Sequence, residues 1–235
     1  MPRPSDPTPL TLLPALRTQL WFAACPADFQ AALIERSRLW KLAPGEHLFE
    51  RGGVPEGLCC VVAGALRVGA VLADGSQSML FMLEPYQWFG EISMLDGQPR
   101  THDAVADVDS TVLVVPQTDL HDWLGAHPQH WRDLARLACG KLRMMFVALE
   151  DLTQLPLEQR LAKHLLMALN GYGASAASAR TRLRMPQEQL ALMMGVSRQT
   201  INKALRTLEA SGAIALRYAE IELIDAAALQ RMAQH

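Results

Sequence analysis

Residues Met185 to Leu208 read MPQEQLALMMGVSRQTINKALRTL, and the reading of the whole chain turns on them. Leu190, Met193 and Met194 form an apolar face at helical spacing. Gly195 then breaks the pattern and supplies the positive φ that a tight interhelical turn needs. Ser197 is a natural N-cap, because its hydroxyl can take a free backbone N–H of the next turn. A second helix opens at Arg198. Ile201, Leu205 and Leu208 make its buried stripe, leaving Arg198, Gln199, Thr200, Asn202, Lys203 and Arg206 on other faces. Arg, Gln and Asn can bond base edges bidentately in a major groove, and Lys neutralises phosphate. Two ordinary packed helices with a solvated polar face would show the same pattern. The residues beyond Leu208 separate the two readings. Glu209-Ala-Ser-Gly212 stops the helix, and Ala213–Leu216 and Glu220–Ile224 read as short strands around Arg217-Tyr-Ala219. Two helices about a tight turn, followed by a hairpin, predict a winged helix-turn-helix. Its candidate DNA-binding residues are Gln187, Ser197, Arg198, Gln199, Thr200, Asn202, Lys203, Arg206 and Arg217.

Charge follows the same division. The chain carries a net charge of −2, yet from Pro156 onward ten Lys/Arg face six Asp/Glu, whereas twelve face eighteen before it. A basic C-terminal part on an acidic N-terminal part suits a nucleic-acid reader joined to a module that does not touch DNA. At 235 residues, half of them hydrophobic, there is length for two modest cores.

Upstream the pattern changes twice. MPRPSDPTP is Pro-rich and polar and reads as a disordered lead, not a signal peptide. Leu10 to Arg38 suggests short helices punctuated by Pro14 and Pro26. From Leu39, turn residues arrive at nearly regular intervals: Pro44-Gly45, Gly52-Gly53, Gly57, Gly64, Asp74-Gly75 and Asp96-Gly97. Between them lie β-rich runs at Glu46–Phe49, Leu58–Val62, Ala65–Leu72, Gln77–Leu83 and Thr111–Val115, which predict an antiparallel roll or jelly roll. Helix resumes over Pro116 to Leu124 and again from about Gln129 to Leu152. In the longer helix Trp131, Ala135, Ala138, Leu142, Met145, Leu149 and Leu152 recur at alternating steps of four and three. A seam this narrow predicts a partner helix, and a second copy of the chain is the economical one; a core helix lying on the roll is the alternative. Leu155-Pro156 makes a hinge, Leu157 to Leu169 another amphipathic helix, and 171–179 a loop of small residues. The expected class is therefore α+β, with a sensor domain over 1–128, a dimerisation helix and hinge over 129–155, and a winged helix over 156–235.

The second functional stretch is FGEISMLDGQPRT, Phe89 to Thr101. Gly90 lets the backbone approach a ligand, Arg100 offers a fork to phosphate, Thr101 a hydroxyl, and Glu91 an acceptor for a sugar hydroxyl. A salt bridge between Glu91 and Arg100 would account for the same spacing.

Taken in order, a roll holding this cassette, a heptad helix, a hinge and GVSRQTINKALRTLE resemble the cyclic-AMP receptor protein/fumarate–nitrate regulator (CRP/FNR) family of bacterial transcription factors. The resemblance runs from about Ala24 to the end. It implies a cytoplasmic homodimer that binds double-stranded DNA at a palindrome, contacts RNA polymerase and catalyses no reaction. It also implies a small-molecule effector such as cyclic AMP, cyclic GMP or cyclic di-GMP. By that match Gly90, Glu91, Ile92, Arg100 and Thr101 fall on the phosphate–ribose cassette, and Arg198, Gln199 and Lys203 on base-reading positions. Met145 and Phe146 stand where the cyclic-AMP receptor offers adjacent hydroxyl residues to adenine. An apolar pair cannot bond a purine edge, so the usual base contacts are not expected.

Two further departures narrow the expectation. Asp103, close to the cassette, would repel a phosphate unless it points away. The four cysteines, Cys25, Cys59, Cys60 and Cys139, match no zinc or iron–sulfur spacing, and Cys59 and Cys60 read as core residues. No iron–sulfur cluster, haem or metal is expected. A jelly-roll metal enzyme would need a His-x-His pair, and no two of the seven histidines stand two apart.

Overall fold

The computed structural model describes residues 8–71, 77–170, 180–217 and 220–234. The first seven residues of the expected lead, the Asp74-Gly75 turn, the small-residue loop and the Tyr218-Ala219 part of the wing turn lie outside them. Two compact units emerge, residues up to 70 with 81–141, and 71–80 with 142–235.

The first unit opens with short helices α1 (Leu13–Leu16), α2 (Leu20–Ala24) and α3 (Ala27–Glu35). Strands β1 (Arg38–Leu42), β2 (His47–Phe49), β3 (Gly57–Ala63), β4 (Leu66–Val71), β5 (Gln77–Leu83) and β6 (Trp88–Phe89) follow. Then come helix α4 (Glu91–Asp96), strands β7 (Asp103–Ala106) and β8 (Ser110–Pro116), and helix α5 (Gln117–Ala126). The strands build two four-stranded sheets, ordered β1-β8-β3-β6 and β2-β7-β4-β5. Every pairing described between them is antiparallel.

Strand β3 shows why the sequence folds this way. Its side chains alternate between two apolar layers, so the run reads as continuously hydrophobic. Cys59 and Val61 enter the core between the sheets, with Phe49, Leu66, Phe89 and Val114. Leu58, Cys60 and Val62 face the helical layer, where Phe22, Phe29, Trp88 and Leu120 pack. Cys59 and Cys60 are both fully buried on opposite faces of one strand, as core residues.

Helix α6 (Trp131–Gln154) runs on from the roll. Its first three turns bury Leu134 and Leu137, and Trp131 packs on the helical core of the first unit. Leu134 and Leu137 are buried against the roll, whereas Ala135 and Ala138 of the expected seam lie on another face and are half-buried in the single chain. Beyond Lys141 every residue to Glu150 is exposed.

The second unit contains α7 (Leu157–Leu169), β9 (Arg182–Arg184), α8 (Gln187–Met194), α9 (Arg198–Ala210), β10 (Ile214–Arg217), β11 (Glu220–Leu223) and α10 (Ala226–Gln234). Strands β10 and β11 form the predicted hairpin, and β9, which sequence reading missed, completes a sheet of order β10-β11-β9. Leu165, Leu190, Ile201, Leu205, Leu208 and Ile221 centre its core.

Candidate ligand cassette and nucleic-acid interface

Gly90 adopts φ +91°, and a Cβ placed there would meet both the Arg100 guanidinium and the Gly57 carbonyl oxygen at 2.8 Å. Gly57 is more constrained still, since its Cβ would lie 1.9 Å from the Val115 carbonyl oxygen. Both glycines permit close approach, Gly57 to the backbone at the end of β8 and Gly90 to Arg100.

The Arg100 side chain is buried at 3 % exposure. Its Nε and NH2 donate to Glu56 Oε2 at 3.3 and 3.2 Å. NH2 also donates to the Gly57 carbonyl at 2.8 Å, and NH1 to the Gly90 carbonyl at 3.3 Å. The guanidinium lies 4.1 Å over the Phe49 ring. Backbone bonds hold its loop, Arg100 donating to Gly53 at 3.1 Å and Gly52 to Arg100 at 2.8 Å.

Glu91 is buried at 2 % exposure. It does not pair with Arg100; its Oε2 accepts from Lys141 Nζ at 2.8 Å. The salt bridge that sequence spacing allowed is therefore replaced by two pairs, Arg100–Glu56 and Lys141–Glu91. Ile92 is 48 % exposed. Thr101 is exposed and lies 3.0 Å from His102 Nδ1 through its hydroxyl. Burial lowers the pKa of His102, nearby Arg51 adds to this, and Asp103 opposes it. Asp103 itself accepts from the Arg51 backbone N–H at 2.7 Å. Burial pushes the Cys59 thiol up to about 12 against the pull of Arg100, so it stays protonated. Met145 and Phe146 belong to the second unit, 45 and 58 % exposed on α6.

Sequence reading missed Glu56 and Lys141, which lie 44 and 50 positions from their partners. No local spacing could have joined them.

On the second unit, Gly195 takes φ +66° with open space around its Cβ, so the requirement is conformational. Ser197 Oγ accepts from Thr200 N–H at 3.1 Å and contacts the Thr200 hydroxyl at 2.8 Å. At 100° per residue, Arg198, Gln199, Asn202, Lys203 and Arg206 span an arc of about 140°, and all five are exposed. Ile201, Ala204, Leu205 and Leu208 occupy the opposite side, at 1 % exposure or less. Gln187, half-buried, opens α8.

Two of the predicted cations carry intramolecular partners. Arg206 pairs with Glu209 at 2.7 Å, and Arg217 with Glu222 at 3.4 Å. Glu209 also accepts from the Leu216 N–H at 2.9 Å, pinning α9 to β10. That bond, and then Arg206, lower its pKa. Glu222 holds Arg182 as well, at 2.9 Å, and its pKa is lowered first by Arg182 and then by Arg217. The outward row Arg182, Arg184 and Arg217 was legible only once β9 joined the sheet.

The cyclic nucleotide-binding domain model matches residues 39–127, and the Crp-like helix-turn-helix domain model residues 159–232. A CRP-like cAMP-activated global transcriptional regulator of Mycobacterium tuberculosis is 28 % identical over 205 residues, 87 % of this chain and 92 % of that protein. The cyclic AMP receptor protein of Thermus thermophilus is 28 % identical over 216 residues, covering 91 % and 96 %. Among solved structures, a CRP/FNR-family transcriptional regulator from Thermus thermophilus aligns at TM-score 0.67 and 26 % identity, over 84 % of this chain and 99 % of the other. FixK2 from Bradyrhizobium japonicum shares the fold at TM-score 0.73 and 21 % identity, covering 83 % and 96 %. A roll matched by the cyclic nucleotide-binding domain model and a winged helix-turn-helix in one chain define the class, a DNA-binding transcription regulator. The chain belongs to the CRP/FNR family. Among the described residues no helix is long and apolar enough to cross a membrane.

Proposed function

We propose that this chain acts as a homodimeric regulator that binds a palindromic operator in the cytoplasm, contacts RNA polymerase and catalyses no reaction. In this reading 1–128 senses, 129–155 dimerises and 156–235 reads DNA. The observation that carries it is the exposed arc of Arg198, Gln199, Asn202, Lys203 and Arg206, directly opposite the buried stripe of α9. Thr200, Gln187 and Arg217 flank the arc as contacts to the DNA backbone. Two such helices related by a two-fold axis place half-sites one helical turn, roughly 34 Å, apart.

The small ligand of this reading is a cyclic mono- or dinucleotide, cyclic AMP, cyclic GMP or cyclic di-GMP. Its phosphate meets Arg100 and Thr101, its sugar meets Glu91, and Gly90 and Ile92 line the approach. The M. tuberculosis relative, whose name records activation by cyclic AMP, supports this choice. One observation favours a second reading, a regulator of the same family working without such a ligand: Glu56 and two carbonyls already engage Arg100.

Selection of sites from random DNA by the full chain, with and without cyclic nucleotide, tests both. A symmetric site enriched only with nucleotide supports the first, and enrichment without it the second. Enrichment of no symmetric site rejects the palindromic reading.

A further inference from the structure

Arg100 has five N–H donors, and the structure fixes how they are spent. Nε and NH2 form one edge of the fork, the edge a phosphate would grip bidentately. Here a single carboxylate oxygen, Glu56 Oε2, sits on both, at 3.3 and 3.2 Å. The remaining bonds run to the Gly57 and Gly90 carbonyls at 2.8 and 3.3 Å, and they hold the guanidinium against Phe49.

The two partners differ in freedom. The Arg100 side chain is 3 % exposed and that of Glu56 27 %. Arg100 is also locked through its backbone to Gly52 and Gly53. Glu56 is anchored at its backbone, where its carbonyl accepts from Gln117 N–H at 3.0 Å. The carboxylate can turn out to water, whereas the guanidinium has nowhere to go. One residue along, the rigid Gly57 carbonyl would keep Arg100 aimed at whatever replaces Glu56.

We propose that Glu56 is a built-in competitor for the ligand's phosphate: its carboxylate occupies the anion position on Arg100 and must swing out before a phosphodiester can bind. The inference rests on the nucleotide-binding reading proposed for this roll. The exchange swaps one singly charged anion for another, so the arginine stays neutralised in both states, and apparent affinity is reduced by the fraction of molecules in which Glu56 holds the site. This makes Glu56 a determinant of ligand affinity that touches the site without contacting the ligand.

The test is calorimetric titration of the full-length chain and its Glu56→Gln variant with cyclic AMP, cyclic GMP, cyclic di-GMP and inorganic phosphate. Glu56→Ala serves as a second variant, and thermal melting checks that each folds. The expected result is binding about tenfold tighter or more in both variants, the equivalent of one lost charge-assisted competitor. Binding by a variant to a nucleotide the wild type does not detectably bind supports the proposal more strongly. Equal or weaker binding by the variants overturns it while leaving the nucleotide-binding reading intact. If neither wild type nor variants bind any of the four, the ligand reading fails, and the competitor with it.

Discussion

Lys141 Nζ stands 2.8 Å from Glu91 Oε2, joining α6 to the first turn of α4 inside the first unit. Glu91 has almost no access to water, while the Lys141 side chain keeps 31 % of its exposure. The pair therefore sets the position of the cassette helix against the helix that leaves the roll. Lys141→Met should strand a buried carboxylate and cost about 2 kcal/mol, below the full penalty for a wholly buried pair because water reaches the lysine side. Lys141→Arg should restore most of that loss. Urea unfolding measures it, and adding Glu91→Gln to Lys141→Met should recover part of the stability, since the stranded charge is then gone. A double variant as unstable as the sum of the singles would show no coupling between the two side chains.

Arg100 supports the fold as well as the candidate site. The sequence alone suggests that Arg100→Ala removes nucleotide binding and leaves the fold intact. The structure alters that expectation, because truncation leaves the Gly57 and Gly90 carbonyls without their donor in a buried place. Arg100→Ala should abolish nucleotide binding and also lower stability by roughly 2–3 kcal/mol. An unchanged melting temperature would show that those carbonyls find water.

The exposed half of α6 carries its own prediction. Leu142, Met145, Phe146, Leu149 and Leu152 are 45 to 59 % exposed, an apolar stripe of the kind a second helix covers. Leu142→Glu with Leu149→Glu should give monomers and abolish operator binding. Sedimentation of the wild type decides first: a monomer at micromolar concentration would remove the dimer from the proposal.

The winged helix was legible in the sequence because its determinants are local. Gly195 needs only its own φ, Ser197 caps the helix that starts at the next residue by accepting from the N–H three residues on, and the Ile201, Leu205 and Leu208 stripe follows from helical period. The cassette was legible as a stretch but not as a site, since Glu56 reaches it from the loop before β3 and Lys141 from α6. Strands β1, β6, β7 and β9 were not among the expected runs; β6 and β9 are only two and three residues long, and β1 and β7 carry charged residues that dilute the β-rich signal. The face that α6 turns to the roll, Leu134 and Leu137, was not legible either, because the heptad steps mark a different face and only the roll's apolar layer determines which side it covers.

His164 gives the second unit a pH dependence. It sits on α7 between the buried Leu161, Ala162 and Leu165, and burial lowers its pKa from 6.5 to about 4. The fold therefore favours the neutral imidazole. Above pH 6.5 both folded and unfolded chains carry it neutral, and no penalty arises. As pH falls from 6.5 towards 4, the unfolded chain takes up a proton that the folded chain refuses, so stability drops, by roughly 2–3 kcal/mol at the end of that window. Urea midpoints measured from pH 7 to pH 4.5 should fall, and His164→Gln should flatten the curve. An identical slope in the variant would assign the loss to other groups.

Base reading by α9 gives the most specific prediction. Arg198 and Gln199 lie one residue apart at the exposed start of the helix, and Ser197 caps the turn that presents them. No ion pair is described for either residue, in contrast to Arg206, which Glu209 holds at 2.7 Å. Arg198 is therefore freer to take a guanine through its fork, and Arg198→Ala should cost about 1–3 kcal/mol and relax preference at one base pair. Arg206→Ala should cost less, because binding DNA through Arg206 first breaks a bond to Glu209. If Lys203 meets phosphate rather than a base edge, Lys203→Ala should weaken binding to all sequences alike and reduce the salt slope by about one. Gln199 presents an amide, which suits adenine through its N6 and N7, whereas a carboxylate at the same place would accept from cytosine. Gln199→Glu should accordingly move the selected half-site from adenine to cytosine at a single base pair and leave the others as they were. If selection on random DNA returns the same half-site for Gln199→Glu as for the wild type, Gln199 does not read a base and its place in the arc is a phosphate contact at most.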